Sequence, residues 1–483
     1  MSSVNIIIAL IPSNFNLRDI EKINQIYYSK SKSDKTYMFL DSLTSPLREK
    51  TIAINPYTKL NAKKLKYLYG DCYKEIIDFL INGGVVESNN RYVVGKESKG
   101  YRFTEKYRNS IPMVCKIDNS TLVKKFNKIN TSGPTIYPHL NKFTSDICID
   151  IVSAEQFVFE LYYFKMEEYM IDLDGYFELQ SQFNYQDIDI PVNPVFWLYS
   201  QLRAIYSIFN NQFRFKVDET GYRLHTNLTN IKSELRNFIT FNGAKLVSVD
   251  YSNSQPLLTT VLLRDDYWNE IKQEGSALHY TDIKYKDEEL KFINDIIDSI
   301  KSSTYTMIPT LIKSNESRGT ERYVSLCESG ELYEYLQETL RLCNGSRKRV
   351  KVAVFQILFT DNRFIGQKAA QPKSEFKKLF PEVYRILSII KKNKSNLLPI
   401  LLQRIESEII LNRVSKRIER ERPELPIFTI HDSVVTTRGN EYYIECVMKD
   451  EMEKAINLMP NTKIEYWEPK NISLESNLND SVA

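Results

Sequence analysis

Two strand-like runs that lie far apart in the chain each end on an aspartate. Lys245-Leu246-Val247-Ser248-Val249 leads into Asp250, and Pro426-Ile427-Phe428-Thr429-Ile430 leads into His431-Asp432, after which Ser433 to Thr437 returns. A carboxylate at a strand end is costly to bury without a hydrogen bond or a counter-charge. A fold that holds two of them must therefore give each one solvent, backbone amides or a cation. Upstream of Asp250, Phe238 to Phe241 is also strand-like, and Asn242-Gly243 is a two-residue hairpin turn signal. If the hairpins share one sheet, the two aspartates meet in one cleft.

Between them lies Arg347-Lys348-Arg349-Val350-Lys351-Val352-Ala353-Val354-Phe355-Gln356-Ile357-Leu358-Phe359. Arg347, Lys351, Phe355 and Phe359 are spaced by four, so on a helix they form one face of two cations followed by two aromatics. The cations suit a triphosphate, and the aromatics suit the sugar and base of the same nucleotide. Val350, Val352 and Val354 also alternate with Lys351 and Ala353, as in a half-buried strand. The absence of a turn residue through Phe359 favours the helix. A solvated basic face and plain core aromatics are the alternatives to a binding role.

Composition narrows the partners little. The chain has 483 residues, 65 Lys plus Arg against 61 Asp plus Glu, and a net charge of +4, so any nucleic-acid face has to come from local clustering. With 42% hydrophobic and 26% charged residues, the chain is globular rather than disordered. No apolar stretch reaches the roughly 18 residues that cross a bilayer, so no membrane role is expected. Ile6 to Ile11 is too short and lacks the basic leader of a secretory signal, and Asp19 and Glu21 argue against an organelle leader. The six cysteines form no CxxC pair, which fits a reduced, intracellular setting. Abundant Asn, Ile, Lys and Tyr with only 15 Gly suggest an AT-rich genome, such as that of a plasmid, phage or organelle.

Three regions are expected: an N-terminal region over 1–109, a mainly helical connector or thumb over 110–215, and a catalytic core over 216–483. Ser29 to Lys35 reads as a loop. Over about 55–107, Tyr67, Ile76, Ile77, Phe79, Leu80 and Ile81 suit an amphipathic helix stopped at Asn82-Gly83-Gly84. Val85 to Glu87 and Arg91 to Val94 then flank Ser88-Asn89-Asn90, a hairpin signal. Lys96, Lys99, Tyr101 and Arg102 follow. This order resembles a winged-helix module that would bind DNA, and a small α+β subdomain with no ligand is the plainer reading. Ala154 to Met170 reads as a core helix. Asp172 and Asp174 read as solvated turn residues rather than an exonuclease metal pair.

In their order, the motifs resemble the A-family DNA polymerases and their relatives, the single-subunit phage-type RNA polymerases. Asp250-Tyr251-Ser252-Asn253-Ser254-Gln255 is similar to motif A, with Gln255 where a glutamate is usual. Arg347-x3-Lys351-x3-Phe355-x3-Phe359-Thr360 resembles motif B, with Phe359-Thr360 in place of Tyr-Gly. His431-Asp432-Ser433 resembles motif C, whose last residue is glutamate in the DNA enzymes and serine in the RNA enzymes. Thr220-Gly221-Tyr222-Arg223-Leu224 and Leu402-Gln403-Arg404-Ile405-Glu406-Ser407 resemble the segments before motifs A and C. The likeness spans about residues 216 to 440. The A-to-B interval is longer than usual and the B-to-C interval shorter, so an insertion is expected around Asp265 to Leu342 and a loss after motif B.

The resemblance implies an α+β right-hand fold with an antiparallel palm sheet and helical fingers. It also implies DNA primer-template and nucleoside triphosphates as partners, with two Mg²⁺ ions as cofactors. Asp250, Asp432 and the Tyr251 carbonyl would hold the metals, and Lys351 would act on the leaving pyrophosphate. Arg347, Lys351, Phe355, Phe359, Tyr251 and Gln255 would form the nucleotide site. Arg223, Gln403 and His431 would contact DNA, as would Lys96, Lys99 and Arg102. Gln255 is bulky enough to disfavour a ribose 2′-hydroxyl, so a DNA-dependent DNA polymerase is expected. An RNA polymerase or primase, and a non-catalytic DNA-binding protein with a relict palm, are the alternatives.

Overall fold

The computed structural model describes residues 6–44, 57–93, 95–130, 136–183, 193–264, 267, 317–340, 347–362, 370–392 and 394–469. It is a mixed α and β structure with antiparallel sheets, and it divides into two compact units. The first comprises 1–134, 144–216 and 226–243, and the second comprises 135–143, 217–225 and 244–483. Among the described residues, no helix is long and apolar enough to cross a membrane.

The first unit opens with β1 (Ile7–Pro12), α1 (Leu17–Asn24) and α2 (Lys30–Leu43). Ser29 to Lys35 is therefore not a loop. Ser29 takes the extended N-cap conformation and its carbonyl starts the helix, so a polar stretch is the solvated first turn of α2. The amphipathic segment that follows is two helices, α3 (Ala62–Tyr69) and α4 (Tyr73–Asn82), separated at Gly70 (φ +76). β3 (Val86–Ser88) pairs with β4 (Gly100–Phe103), and β2 (Thr58–Lys59) pairs with the other edge of β4. In the expected partner of the first strand, Arg91 to Val94, the described residues Arg91 to Val93 do not pair with it, and Val94 lies outside the described residues. Val86 lies opposite Phe103, because both are needed in the core, and 89–99 forms the excursion between the strands. After a short helix, α5 (Glu105–Arg108), β5 (Pro112–Ile117) returns to pair with β1, and α6 (Ser120–Asn130) packs on α3.

In the same unit, β6 (Ile147–Ile149) pairs with β7 (Ile239–Phe241), while α7 (Ile151–Phe183) and α8 (Val195–Phe209) pack on one another. Ala154, Phe157, Val158 and Tyr162 are the buried stripe of α7. Asp172 and Asp174 lie exposed on this helix rather than in a turn. After β7, Asn242 and Gly243 both have positive φ, as a type I′ turn requires.

The second unit is built on an antiparallel sheet in which β8 (Ala244–Tyr251) lies between β10 (Ser433–Thr437) and β11 (Thr462–Tyr466), with β9 (Ile427–Ile430) outside β10. The registers are Asp250 opposite Ser433, Asp250 opposite Lys463, and Ile430 opposite Ser433. Strand alternation then assigns the faces. The Tyr251 hydroxyl donates to the Met448 carbonyl in the helix Glu441–Ile456, so odd-numbered residues of β8 face that helix. Asp250 consequently points to the opposite face.

Helices supply the rest of the unit. α9 (Ser254–Thr259) follows β8, and α10 (Ser317–Ser329) and α11 (Leu332–Thr339) lead to α12 (Arg347–Phe359). Most of the insertion expected over 265–342 lies outside the described residues. α12 is a helix, and its burial explains why the valine alternation is not a strand. Val350, Ala353, Val354, Ile357 and Leu358 are buried at helical spacing, while Val352 is 52% exposed. α13 (Gln371–Leu379), α14 (Pro381–Lys391) and α15 (Leu397–Ser407) follow, and α15 continues through a π-helical segment, Glu408–Val414, into α16 (Ser415–Glu421).

Two buried lysines cap the end of α12. Lys391 Nζ donates to the carbonyls of Ile357 (2.6 Å) and Thr360 (3.3 Å) and to Asn362 Oδ1 (3.2 Å). Lys373 Nζ donates to the Thr360 and Asp361 carbonyls and to Asn362 Oδ1. Their N–H donors meet the unpaired carbonyls of a helix C-terminus, while burial lowers both amines and pulls Lys391 down to about 7. Lys391→Met removes the donor that meets the Ile357 carbonyl and is expected to destabilise the protein by about 1–3 kcal/mol in urea unfolding. An unchanged midpoint and slope would show that the cap contributes nothing.

Candidate active site

The pairing of β8 with β10 brings Asp250 and Asp432 together. Asp250 lies opposite Ser433, and Asp432 is the next residue back at the tip of the β9–β10 hairpin. Its partner in the two-residue tip, His431, has φ +55, an uncommon left-handed conformation in which His is among the more tolerated residues. The His431 ring packs edge-on against His225, with centroids 6.3 Å apart.

Both carboxyl groups resist ionisation. Burial, then the charge of Asp432, then that of Glu465 push Asp250 up to about 8, with Lys351 and Lys463 pulling the other way. Burial also raises Asp432, against its own backbone amide, the Ser254 hydroxyl, Arg223 and Lys351. Two half-buried carboxyl groups that raise one another do not both carry charge readily without a compensating cation. Hard oxygen donors facing one another in a desolvated cleft fit Mg²⁺, which accepts few protein ligands and completes its shell with water and phosphate oxygens. Among the described residues, no cluster of three or more His, Cys, Asp or Glu is arranged to hold a metal by itself. The Asp250–Asp432 pair would therefore carry the protein's share. The Tyr251 side chain lies on the far face of the sheet, so only its backbone carbonyl could serve as a metal ligand in the cleft.

A third carboxylate, Glu406 on α15, completes the cleft, and nothing in the sequence motifs singles it out. Its side chain is 3% exposed. Arg223 holds it in a two-point contact, Nε to Oε1 at 2.8 Å and Nη2 to Oε2 at 2.9 Å. The Gln255 side-chain amide also donates to it. Burial and the nearby Asp432 outweigh these donors and push Glu406 up to about 7. Gln255 and Arg223 are thus joined through one buried carboxylate. Gln255 Oε1 and both amide atoms of Asn253 are buried without a hydrogen-bond partner among the described residues.

The loop carrying Arg223 is organised by Asp218. Its carboxylate accepts from the amides of Thr220 (2.8 Å), Gly221 (2.7 Å) and Arg223 (3.1 Å), and pairs with His225 Nε2 at 3.0 Å. Burial pushes Asp218 up, but these donors outweigh it and hold it below the usual carboxylate range. Helix α15 grips the same loop. Arg404 Nε donates to the Thr220 carbonyl (2.8 Å) and Ser407 Oγ to the Gly221 carbonyl (2.9 Å). Gln403 lies over Gly221 so closely that a Cβ there would sit 2.5 Å from Gln403 Oε1 and 2.9 Å from its Cβ, so a larger residue would have to displace Gln403.

Helix α12 presents its cationic and aromatic face as the spacing predicts. Lys351 is exposed, 5.8 Å from the Phe355 ring, and its charge acts on both aspartates. Arg347 pairs with Glu334 at 2.8 Å and lies 5.5 Å from the Tyr333 ring centroid. Phe355 and Phe359 stack on one another, with centroids 5.5 Å apart. Lys463 and Glu465 on β11 complete the electrostatic surroundings of Asp250. Lys96, Lys99 and Arg102 belong to the other unit, where Arg102 pairs with Glu87 and covers Tyr57.

No family model matches the chain, and no curated protein matches it. Among solved structures it is similar to the POL domain of Pol1 from M. smegmatis, in complex with DNA primer-template and dNTP. The match has 12% identity and a TM-score of 0.30, and it covers 73% of this chain and 74% of that one.

The strained charge state has a measurable sign. Asp250 rises from an ordinary 3.8 to about 8 on folding, so the folded chain binds more protons than the unfolded one across that window. Stability in metal-free buffer should therefore fall as pH rises from about 4 to 8. Millimolar Mg²⁺ at pH 8 should restore it. In Asp250→Asn, both the pH slope and the response to Mg²⁺ should shrink. Thermal melts with the same slope in the variant would refute this account of the pair.

Proposed function

We propose that this chain is a template-directed nucleotidyltransferase, a DNA-dependent DNA polymerase that extends a primer 3′-end with deoxynucleotides. The observation that carries the reading is the pair of half-buried, mutually acting aspartates from two hairpins of one sheet, faced by the charge of Lys351 on a helix. That is the chemistry phosphoryl transfer needs: metal-ligating oxygens at the reacting centre and a cation for the leaving phosphates.

In this reading the sheet acts as the palm and α12 belongs to the fingers. Asp250 and Asp432 would hold two Mg²⁺ ions, with the Tyr251 carbonyl as an added ligand. When bound, the ions would acidify the primer hydroxyl and stabilise charge on the attacked phosphorus and on pyrophosphate. Lys351 binds the triphosphate and is placed to donate a proton as pyrophosphate leaves. Arg347 contributes to the same phosphates, its guanidinium steered by Glu334 and Tyr333. Phe355 and Phe359 form an apolar ledge for the sugar and the nascent base pair. His431 sits beside the primer end, and Gln403 borders the primer-template path.

Gln255 discriminates the sugar. Its amide is held by Glu406, which is itself held by Arg223, so the side chain cannot swing aside freely. Arg223 thus contributes mainly by positioning, in addition to any contact with DNA. A fixed bulky group excludes a 2′-hydroxyl more effectively than a mobile one.

Primer extension with separate nucleotide sets tests the reading. The wild type should extend with deoxynucleotides in Mg²⁺. Asp250→Asn and Asp432→Asn should each lose about 10³-fold or more of the rate, a loss of roughly 4 kcal/mol of transition-state stabilisation, while retaining DNA binding. A wild type that binds DNA but shows no Mg²⁺-dependent synthesis would favour a non-catalytic replication protein. Gln255→Ala should raise ribonucleotide use at least about tenfold, equivalent to roughly 1.4 kcal/mol. Equal use of both sugars by the wild type would favour an RNA polymerase or primase.

A further inference from the structure

The first unit carries a cationic face that the catalytic reading does not use. α3 and α6 pack against each other and bury Leu65, Leu68, Leu122 and Val123. Their outer surfaces present Lys63, Lys64 and Lys66 from α3 and Lys124 and Lys128 from α6, all exposed or partly so, with half-buried Lys125 beside them. Lys66 pairs with Asp71 at 2.9 Å. None of the other five lysines has a carboxylate within ion-pair distance among the described residues. Tyr67 lies within the face, 41% exposed, with Lys125 Nζ 5.6 Å from its ring centroid. The Leu60 amide donates to the Lys99 carbonyl at 3.1 Å, so exposed Lys99 sits where α3 begins and extends the face.

Lys66 and Lys128 stand in the last turns of their helices, where the dipole favours cations, but the charge of Lys63 and Lys64 gains the helix nothing. Lys63 and Lys64 occupy the first turn of α3, where the helix dipole disfavours cations and where no acidic residue offsets them. The amides of that turn are already capped by Asn61 Oδ1, at 2.9 and 3.3 Å, and among the described residues neither lysine side chain has an ion-pair partner. A local rule broken without an internal gain marks a surface whose gain lies outside the molecule. The exposed side of neighbouring α4 instead carries Glu75 and Asp78 with Lys74, and Glu75 pairs with Lys32 at 2.6 Å. That side does not suit phosphates.

We propose that the α3–α6 face, continued by Lys99, is a nucleic-acid docking surface that binds the phosphate backbone without reading bases. Lysines spread over two helices contact successive phosphates as point charges, and Tyr67 offers a flat apolar surface to a sugar or an unpaired base.

The test is salt-dependent binding of the full chain to a fluorescent DNA duplex and to a single strand of the same length. Lys63→Gln/Lys64→Gln/Lys125→Gln/Lys128→Gln should weaken duplex binding at least about tenfold near physiological salt. It should also flatten the plot of log affinity against log salt by about 0.9 for each phosphate that is no longer neutralised. The matching Lys→Arg variant should retain binding, and Lys74→Gln on α4 should change nothing. Selective weakening on the single strand would place an unpaired strand on the face and keep the proposal. Affinity within twofold and an unchanged slope on both probes overturns it. Loss of binding to phosphatidylserine vesicles with DNA binding intact also overturns it, in favour of a membrane surface.

Discussion

The meeting of two half-buried carboxyl groups at the end of one sheet governs the second unit. Asp250 and Asp432 are forced together by ladder hydrogen bonds between β8 and β10, and neither can relax away without breaking the register that places Asp250 opposite Ser433. The sheet is apolar on both sides of that point, with Leu246, Val247, Val249, Val434 and Val435 fully buried. The core therefore supports an arrangement that is electrostatically unfavourable by itself. Such opposition between local cost and global stability is common at functional sites. It also makes the aspartates more informative as a pair than either would be alone.

Everything around the pair adjusts its potential or its access. Lys351 approaches from a helix whose far end is capped by the buried donors Lys373 and Lys391. Arg223 arrives on a loop that Asp218 organises and α15 grips. Glu406 links that loop to Gln255. The hydrogen bonds form one connected set: Asp218, the 218–223 loop, Arg223, Glu406 and Gln255. A change at Asp218 would be transmitted to Gln255 through hydrogen bonds rather than through packing alone.

The first unit follows a different logic. Its apolar core, from Ile7 through Phe39, Ile76 and Phe103 to Val123, is continuous and ordinary. What distinguishes it is charge placement: acidic residues on the outer side of α4 and solvent-facing lysines on α3 and α6. The net charge of +4 for the whole chain hides this segregation, because long-range fields come from clusters rather than totals.

Some of this is legible in the residues alone. Strand alternation places Asp250 and Asp432 at strand ends, the two-residue turn at Asn242-Gly243 carries its own signature, and the spacing of four predicts the face of α12. These are local properties, set by backbone period and turn stereochemistry, so a linear reading reaches them. It fails where tertiary burial chooses between local options. Val86 pairs with Phe103 because both are needed in the core, although the nearer Arg91 to Val94 has comparable strand character. Ser29 to Lys35 is helical because a neighbouring apolar stripe is buried. Glu406 lies in a segment that draws attention for Gln403, and nothing in its spacing marks a carboxylate 183 positions from Arg223 as its partner. The chain by itself determined which chemical groups are available and which period each segment follows. Only the fold decided which of them meet, because burial and pairing energies depend on neighbours that are remote in sequence.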